Sequence, residues 1–339
     1  MLIRSKAPLR LGLAGGGTDV SPYSDLYGGG ILNATINLYA YATIEPASDG
    51  KISFETADGS LIKVFDSGSE IKPEGIFDIH AGIYNRILKD YPDKNLSFRL
   101  ITSLDAPQQS GLGTSSTLAV AILGAFVEWL KLPLGEYDIA LMAYEIERFD
   151  LDMAGGKQDQ YSATFGGINF MEFYKDKVIV NPLRIKNSYL DELSHNLVLY
   201  FTDTSRLSSQ IIQRQQQNVL DHNTIAIEAM HQLKNQAIMM KEALLRGNLD
   251  EIGKILDFGW KYKKQMASGI TNAGLDDLYQ VAMENGATGG KISGAGGGGY
   301  MFFYCPGNTR YRVIESLKQF GGHTERYEFT NDGLVTWTL

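Results

Sequence analysis

Residues 107–117 read PQQSGLGTSST, and the apolar run LAVAILGAFVEWL follows at 118–130. The apolar run predicts a buried helix over about 116–131, and the loop before it holds two glycines and five hydroxyl side chains. Free amides at a helix N-terminus converge on one point, where the helix dipole adds partial positive charge. This stretch therefore predicts a cradle for phosphate groups. A plain turn closed by a capping hydroxyl is the alternative interpretation.

The loop differs from a Walker A motif, which would end in Gly-Lys-Ser/Thr, because it contains no lysine. Its glycines would let the backbone approach phosphates closely, and its hydroxyl groups could coordinate a magnesium ion that a nucleotide carries. The loop thus predicts a nucleotide site of a different type.

The chain of 339 residues is long enough for two domains. Residues 1–190 alternate strand-like runs with helices near 78–91 and 135–149, which predicts a β-rich first domain. Residues 191–339 combine strands with long helices over about 206–246, 249–266 and 274–285, which predicts a second domain of α+β type. The boundary is expected near 181–195.

Composition excludes several classes of protein. The net charge of −8 argues against a nucleic-acid surface, and the single cysteine, Cys305, excludes an internal disulfide. The five histidines lack the spacing of zinc ligands. The N-terminus has no signal-peptide core and no apolar run is long enough to cross a bilayer, so we expect a cytoplasmic enzyme without a membrane partner.

Two further glycine-rich segments stand far from the first loop. GLAGGGTD at 12–19 fails as a dinucleotide fingerprint because Val20 stands where the third glycine should be. Its amides and an exposed Thr18-Asp19 pair are expected to suit a polyhydroxyl ligand, with a capped tight turn as the alternative. KISGAGGGG at 291–299 predicts a turn that packs against another loop or a ligand phosphate.

A candidate catalytic carboxylate lies in ERFDLDMAGGKQDQYSATFGG at 147–167. Asp159 follows a diglycine and stands between two glutamines, where it could orient or deprotonate a hydroxyl nucleophile. Lys157 could stabilise charge nearby. A solvated surface loop is the alternative for this segment.

Taken in order, the three motifs resemble those of the GHMP kinase superfamily: APLRLGLAGGGTD at 7–19 (the first motif), PQQSGLGTSS at 107–116 (the second) and KISGAGGGG at 291–299 (the third). The resemblance covers nearly the whole chain. It implies an α+β, two-domain fold, with an N-terminal domain of ribosomal-protein-S5-like type and a C-terminal ferredoxin-like domain.

Within that superfamily, APLRLGLAGGGTDVSPYSDLYGG, NATINLYAYATI and GGKQDQYSATFGG look like the sugar kinases that phosphorylate D-glycero-D-manno-heptose 7-phosphate at its anomeric hydroxyl. The alternatives are a kinase for fucose, mannose or a hexosamine, and a catalytically silent sugar-binding sensor. The sugar pocket cannot be copied from galactokinase, which has Gly-Glu-His where this chain has Gly15-Gly16-Gly17.

The resemblance implies ATP and Mg²⁺ and assigns roles to residues. Asp159 matches the family's catalytic aspartate, Arg10 the basic residue of the first motif, and Asp19 the sugar-binding aspartate. The metal ligands implied are Ser115 and Glu147, with Ser116 as the alternative to Ser115. The ATP-binding residues expected are Pro107, Ser110, Gly111, Leu112, Gly113, Thr114, Ser115 and Ser116. The substrate-binding residues expected are Gly16, Gly17, Thr18, Asp19, Gly294, Ala295 and Gly296.

A sugar phosphate beside ATP would place two polyanions in one cleft, so an acidic chain must supply local cations. Arg206, at the start of a predicted helix, and Lys157 are the candidates, with a surface ion pair as the alternative for Arg206. A homodimer is left open.

Overall fold

The structure, a computed structural model, describes residues 1–204 and 208–339. The strands are β1 (Ile3–Ala14), β2 (Gly29–Pro46), β3 (Lys51–Thr56), β4 (Ile62–Asp66), β5 (Phe98–Leu104), β6 (Ile168–Phe173), β7 (Val178–Pro182), β8 (Leu197–Phe201), β9 (Gly289–Ile292), β10 (Tyr300–Tyr304), β11 (His323–Glu325) and β12 (Val335–Thr338). The helices are α1 (Tyr23–Tyr27), α2 (Asp78–Asp90), α3 (Thr114–Leu130), α4 (Glu136–Glu145), α5 (Gln158–Phe165), α6 (Asn187–Asn196), α7 (Ser208–Leu220), α8 (Thr224–Arg246), α9 (Ile252–Met266), α10 (Ala273–Glu284) and α11 (Arg310–Leu317).

In the part of the chain that the structure describes, the strands form two sheets. The larger has the order β12-β1-β2-β5-β3-β4, with β6 on β2 and β7 on β6, and the smaller has the order β11-β8-β10-β9. The last strand, β12, pairs antiparallel with β1, so the end of the chain returns to the sheet in which it begins. The division at residue 190 stays a prediction.

The predicted helix after the glycine loop is α3, and it begins at Thr114, two residues earlier than predicted. Residues Leu118 to Phe126 are buried, and the helix packs on β1 and β2. A second core joins the two sheets, with Leu9 and Leu11 of β1 against Met240 of α8 and Phe302 of β10. The first motif and the strand that follows the third motif are therefore held against a shared apolar core.

The helix predicted over 206–246 is interrupted, and the interruption falls at 221–223. His222 adopts a left-handed φ of 54°, and the Asn223 side chain caps α8 by accepting a hydrogen bond from the Ala226 amide at 3.2 Å. The helix predicted over 135–149 is α4 followed by a π-helical turn, Ile146–Asp150. Such turns often occur at functional sites, and this one carries Glu147.

Candidate active site

The glycines of the second motif allow close contacts with two other segments. Gly111 and Gly113 have φ of 85° and 80°, a left-handed conformation that favours glycine. A Cβ on Gly111 would lie 2.5 Å from the Ser293 carbonyl oxygen, and one on Gly113 would lie 3.1 Å from Cγ of Asp159. The prediction that the third motif packs against another loop is thus confirmed, since that loop is the second motif.

Arg10 of β1 connects the three motifs with the segment that carries Asp159. Its Nε and Nη2 donate to Oδ1 of Asp159 at 2.7 and 2.6 Å. Its Nη1 donates to the Gly111 carbonyl at 2.6 Å and lies 3.5 Å from Oγ of Ser293. The Arg10 side chain is 3% exposed and the Asp159 side chain 24%, so the pair is shielded while the carboxylate still reaches the cleft. Asp159 lies in the first turn of α5 rather than in a surface loop.

The prediction that Thr18 and Asp19 are exposed is wrong, because both are buried. The Thr18 hydroxyl donates to the Gly15 carbonyl at 2.8 Å, so it closes the turn of the first motif. Asp19 accepts a hydrogen bond from the Gln158 amide through Oδ2 at 3.0 Å. Burial raises the pKa of Asp19, and the charge of Asp159 adds to that effect.

Glu147 is 1% exposed and accepts hydrogen bonds from three side chains. Ser115 and Ser116 donate to Oε1 at 3.3 and 3.0 Å, and Gln160 donates to Oε2 at 2.5 Å. A carboxylate and a hydroxyl at one point are hard oxygen ligands of the kind that Mg²⁺ prefers, and Mg²⁺ usually completes its shell with phosphates and water. The residues that the sequence proposed for the metal therefore fit a nucleotide-bound magnesium ion.

A cleft of about 620 Å³ brings most of the proposed residues together. Those that line it are Arg10, Gly17, Asp19, Gly111, Gly113, Thr114, Ser115, Ser116, Glu147, Asp159, Gly294 and Ala295. Those that lie outside its wall are Pro107, Ser110, Leu112, Gly16, Thr18, Lys157 and Gly296. A Cβ on Gly296 would lie 2.8 Å from Cα of Ile270, so that glycine serves close packing.

Of the two cations proposed to bind a substrate phosphate, the structure places Lys157 outside the cleft wall and does not describe Arg206. Lys157 faces a neighbouring cavity, where its Nζ donates to the Tyr174 carbonyl at 2.9 Å and pairs with Asp25 at 3.3 Å. Arg206 lies outside the described residues. The cleft itself is lined by Lys263, a cation that the sequence analysis did not single out.

Other cleft residues were also missed. Gln215 of α7 lines the cleft at 2% exposure, and Ile76 and Ile79 add apolar side chains to its wall. Gln215 and Lys263 are separated from the first motif by about two hundred residues or more, so nothing local in the sequence marks them.

A glycine-rich turn at a helix N-terminus, an Arg-Asp pair and a set of hard oxygen ligands lie in one cleft, an arrangement that a small-molecule kinase requires. The model of the GHMP kinases N-terminal domain matches residues 78–167, and that of the GHMP kinases C-terminal domain matches residues 240–323. The chain belongs to the GHMP kinase family, and the α+β GHMP kinase fold predicted from the sequence is confirmed.

Two relatives resemble the chain over nearly its full length. The D-glycero-alpha-D-manno-heptose 7-phosphate kinase of Campylobacter jejuni is 48% identical over 338 residues, which is 99% of both chains. The crystal structure of a D-glycero-D-manno-heptose 1-phosphate kinase from Bacteroides thetaiotaomicron has a TM-score of 0.85 at 46% identity and 99% coverage of both chains. A Lactococcus lactis galactokinase, covering 98% of this chain and 95% of its own, has a TM-score of 0.78 at 16% identity, a likeness of fold alone.

Proposed function

We propose that this protein is an ATP-dependent heptose phosphate kinase, which transfers the γ-phosphoryl group to the anomeric hydroxyl of D-glycero-D-manno-heptose 7-phosphate. The product would be the 1,7-bisphosphate, a precursor of nucleotide-activated heptose for surface polysaccharide. The observation that carries the proposal is the 48% identity, over 99% of both chains, to a kinase named for that sugar phosphate.

The geometry supports a division of roles within the cleft. The amides at the start of α3 face the nucleotide phosphates, and Ile76 and Ile79 receive the base. Asp159 orients the acceptor hydroxyl and accepts its proton as the oxygen-phosphorus bond forms and ADP leaves. Arg10 fixes that carboxylate by two hydrogen bonds and places positive charge beside the transferring group.

Ser115 and Glu147 would hold the magnesium ion on the nucleotide. When bound, the ion neutralises charge on the phosphates. The Ser115 hydroxyl donates to Oε1 of Glu147, whereas the Gln160 side chain donates to Oε2. Gln160 therefore holds the Glu147 carboxylate in place through the oxygen that Ser115 does not contact. The first motif faces the acceptor through Gly17 and Asp19.

The two heptose kinases that resemble the chain carry names that differ in the position of the acceptor's phosphate, C7 in one and C1 in the other. An ADP-release assay over heptose 7-phosphate, heptose 1-phosphate, unphosphorylated heptose, mannose, fucose and N-acetylhexosamines separates these acceptors. Phosphorus NMR of the product would then locate the new phosphate. We expect turnover with heptose 7-phosphate and a new signal at C1, whereas faster turnover with any other acceptor would overturn the proposal.

A catalytically silent sensor is disfavoured because Arg10, Asp159, Glu147 and Ser115 are all present and line one cleft. No helix among the described residues combines the length and apolar character needed to cross a membrane. A cytoplasmic location stays a prediction, which fractionation would test. The homodimer stays an open alternative, which light scattering would test.

A further inference from the structure

Two buried lysines lie beneath the turn of the first motif. Lys263 of α9 is 2% exposed and Lys291 of β9 is 4% exposed, and a Cβ on Gly16 would lie 3.8 Å from the Nζ atom of each. Lys291 has a protein partner, since its Nζ donates to the Gly12 carbonyl at 2.6 Å. Within residues 1–204 and 208–339, Nζ of Lys263 makes no hydrogen bond or ion pair. Lys263 lines the cleft, so its ammonium group is available to a ligand there, and pairing would offset part of the cost of its burial.

Lys263 lines the same cleft as Asp19, and the charge of Asp19 acts favourably on it. Gln215 lies next to the first motif, because a Cβ on Gly17 would be 3.6 Å from Oε1 of Gln215. The amide nitrogen of Gln215 is buried and has no partner among the described residues. This end of the cleft therefore offers two sets of N–H donors beside one carboxylate acceptor.

A sugar hydroxyl matches that arrangement, because it can donate to a carboxylate and accept from an ammonium group at the same time. A phosphate dianion matches it less well, since the dianion would lie close to the Asp19 carboxylate, with Asp159 also near. Burial lowers the pKa of Lys263 to about 8, and the charge of Arg10 acts in the same direction. The N–H groups of Lys263 can donate hydrogen bonds whether or not the amine is protonated.

We propose that Lys263, with Gln215 beside it, binds the acceptor sugar by donating hydrogen bonds to its hydroxyl oxygens next to Asp19. The inference rests on the proposed function only in taking a sugar as the acceptor. Lys263 is then a specificity-determining residue contributed by the C-terminal half of the chain.

The test is Lys263→Met, which keeps the length of the side chain and removes its donors. Lys261→Met is the matched control, because Lys261 is on the same helix and exposed, and pairs with Asp257. Calorimetry on the intact protein would measure binding of heptose 7-phosphate, unphosphorylated heptose and ATP. We expect both sugars to bind tenfold or more weakly to Lys263→Met, the scale of a charged hydrogen bond, with ATP binding changed less than twofold. Lys261→Met should match the parent.

Equal sugar affinity in Lys263→Met and the parent would overturn the inference. A loss confined to heptose 7-phosphate would overturn it too, by showing that Lys263 contacts the phosphate. An equal loss of affinity for ATP would indicate a structural role of Lys263 and would overturn the inference too.

If Lys263→Met failed to fold, Gln215→Met would give the same test: both sugars should bind more weakly to it, with ATP affinity unchanged. If the parent turned over another sugar and not heptose 7-phosphate, the proposed function would fail, and the lysine would be tested with that sugar.

Discussion

Gly156→Ala offers a direct test of where the acceptor binds, because the added methyl group is directed at Asp19. A Cβ on Gly156 would lie 1.9 Å from Oδ2 of Asp19, whereas ordinary contacts begin at 3.4 Å, so atoms must move by about 1.5 Å. The backbone of Gly156 is not in the left-handed region, so alanine adds no strain of its own there. The clash alone should account for the effect.

Displacing a positioning group by about 1 Å can lower the rate by roughly a hundredfold. We therefore expect kcat/KM for the acceptor to fall by about two orders of magnitude, or about 2.7 kcal/mol of transition-state stabilisation. The KM for ATP should change little, because the second motif is not touched. A coupled ADP-release assay with heptose 7-phosphate varied would measure both values.

Two variants make the result interpretable. Gly274→Ala places a methyl group on the exposed first turn of α10, where the nearest contact is an ordinary 3.4 Å, and it should retain parental kinetics. The double variant Asp19→Ala with Gly156→Ala should be no worse than Asp19→Ala alone, because the clash requires the carboxylate. Parental activity in Gly156→Ala, or additive losses in the double variant, would refute the placement of Asp19 at the acceptor.

Three further predictions concern catalysis, the metal and pH. Asp159→Asn should lower turnover by about two to four orders of magnitude with ATP affinity nearly unchanged, as followed by ADP release and nucleotide titration. Glu147→Ala and Ser115→Ala should each raise the Mg²⁺ concentration needed for half-maximal rate, and unchanged requirements in both would remove them from the metal site. Burial lowers the pKa of His80 to about 3, so the folded state binds fewer protons than the unfolded chain between that value and about 6.5. Stability should fall by up to about 1.4 kcal/mol per unit as pH drops through that window, and urea unfolding at pH 7 and 4.5 should show a smaller fall in His80→Phe.

Local patterns in the sequence predicted the parts of the fold and site that depend on local chemistry. The apolar run at 118–130 required a buried helix, and the glycines before it required a loop at that helix's N-terminus, which the structure has at Gly111 and Gly113. The break before α8 also has a local signal, since Asn223-Thr224 is a typical start of a helix, although the sequence analysis missed it.

The burial of Asp19 and Lys263, at the proposed acceptor site, could not be predicted in the same way. Asp19 is covered by the segment that contains Gly156 and Gln158, more than 130 residues later, so a polar pair that looks exposed in sequence is buried in the fold. Lys263 is an ordinary residue of an amphipathic helix until α9 packs beneath the first motif. Such residues are determined by tertiary contacts and have no spacing pattern of their own.

The pairing of Arg10 with Asp159 also limits what the aspartate can do. Nε and Nη2 of Arg10 both donate to Oδ1 of Asp159. In the proposed mechanism, Oδ2, which lies near Gly113, would then accept the proton of the acceptor hydroxyl. Phosphoryl transfer through a loose transition state needs little help from a strong base, because the hydroxyl can lose its proton late. A carboxylate held by an arginine is suited to that role, since it fixes the direction of attack. The same guanidinium binds the Gly111 carbonyl, so in the proposed mechanism one side chain would position both the attacking oxygen and the loop that faces the phosphates.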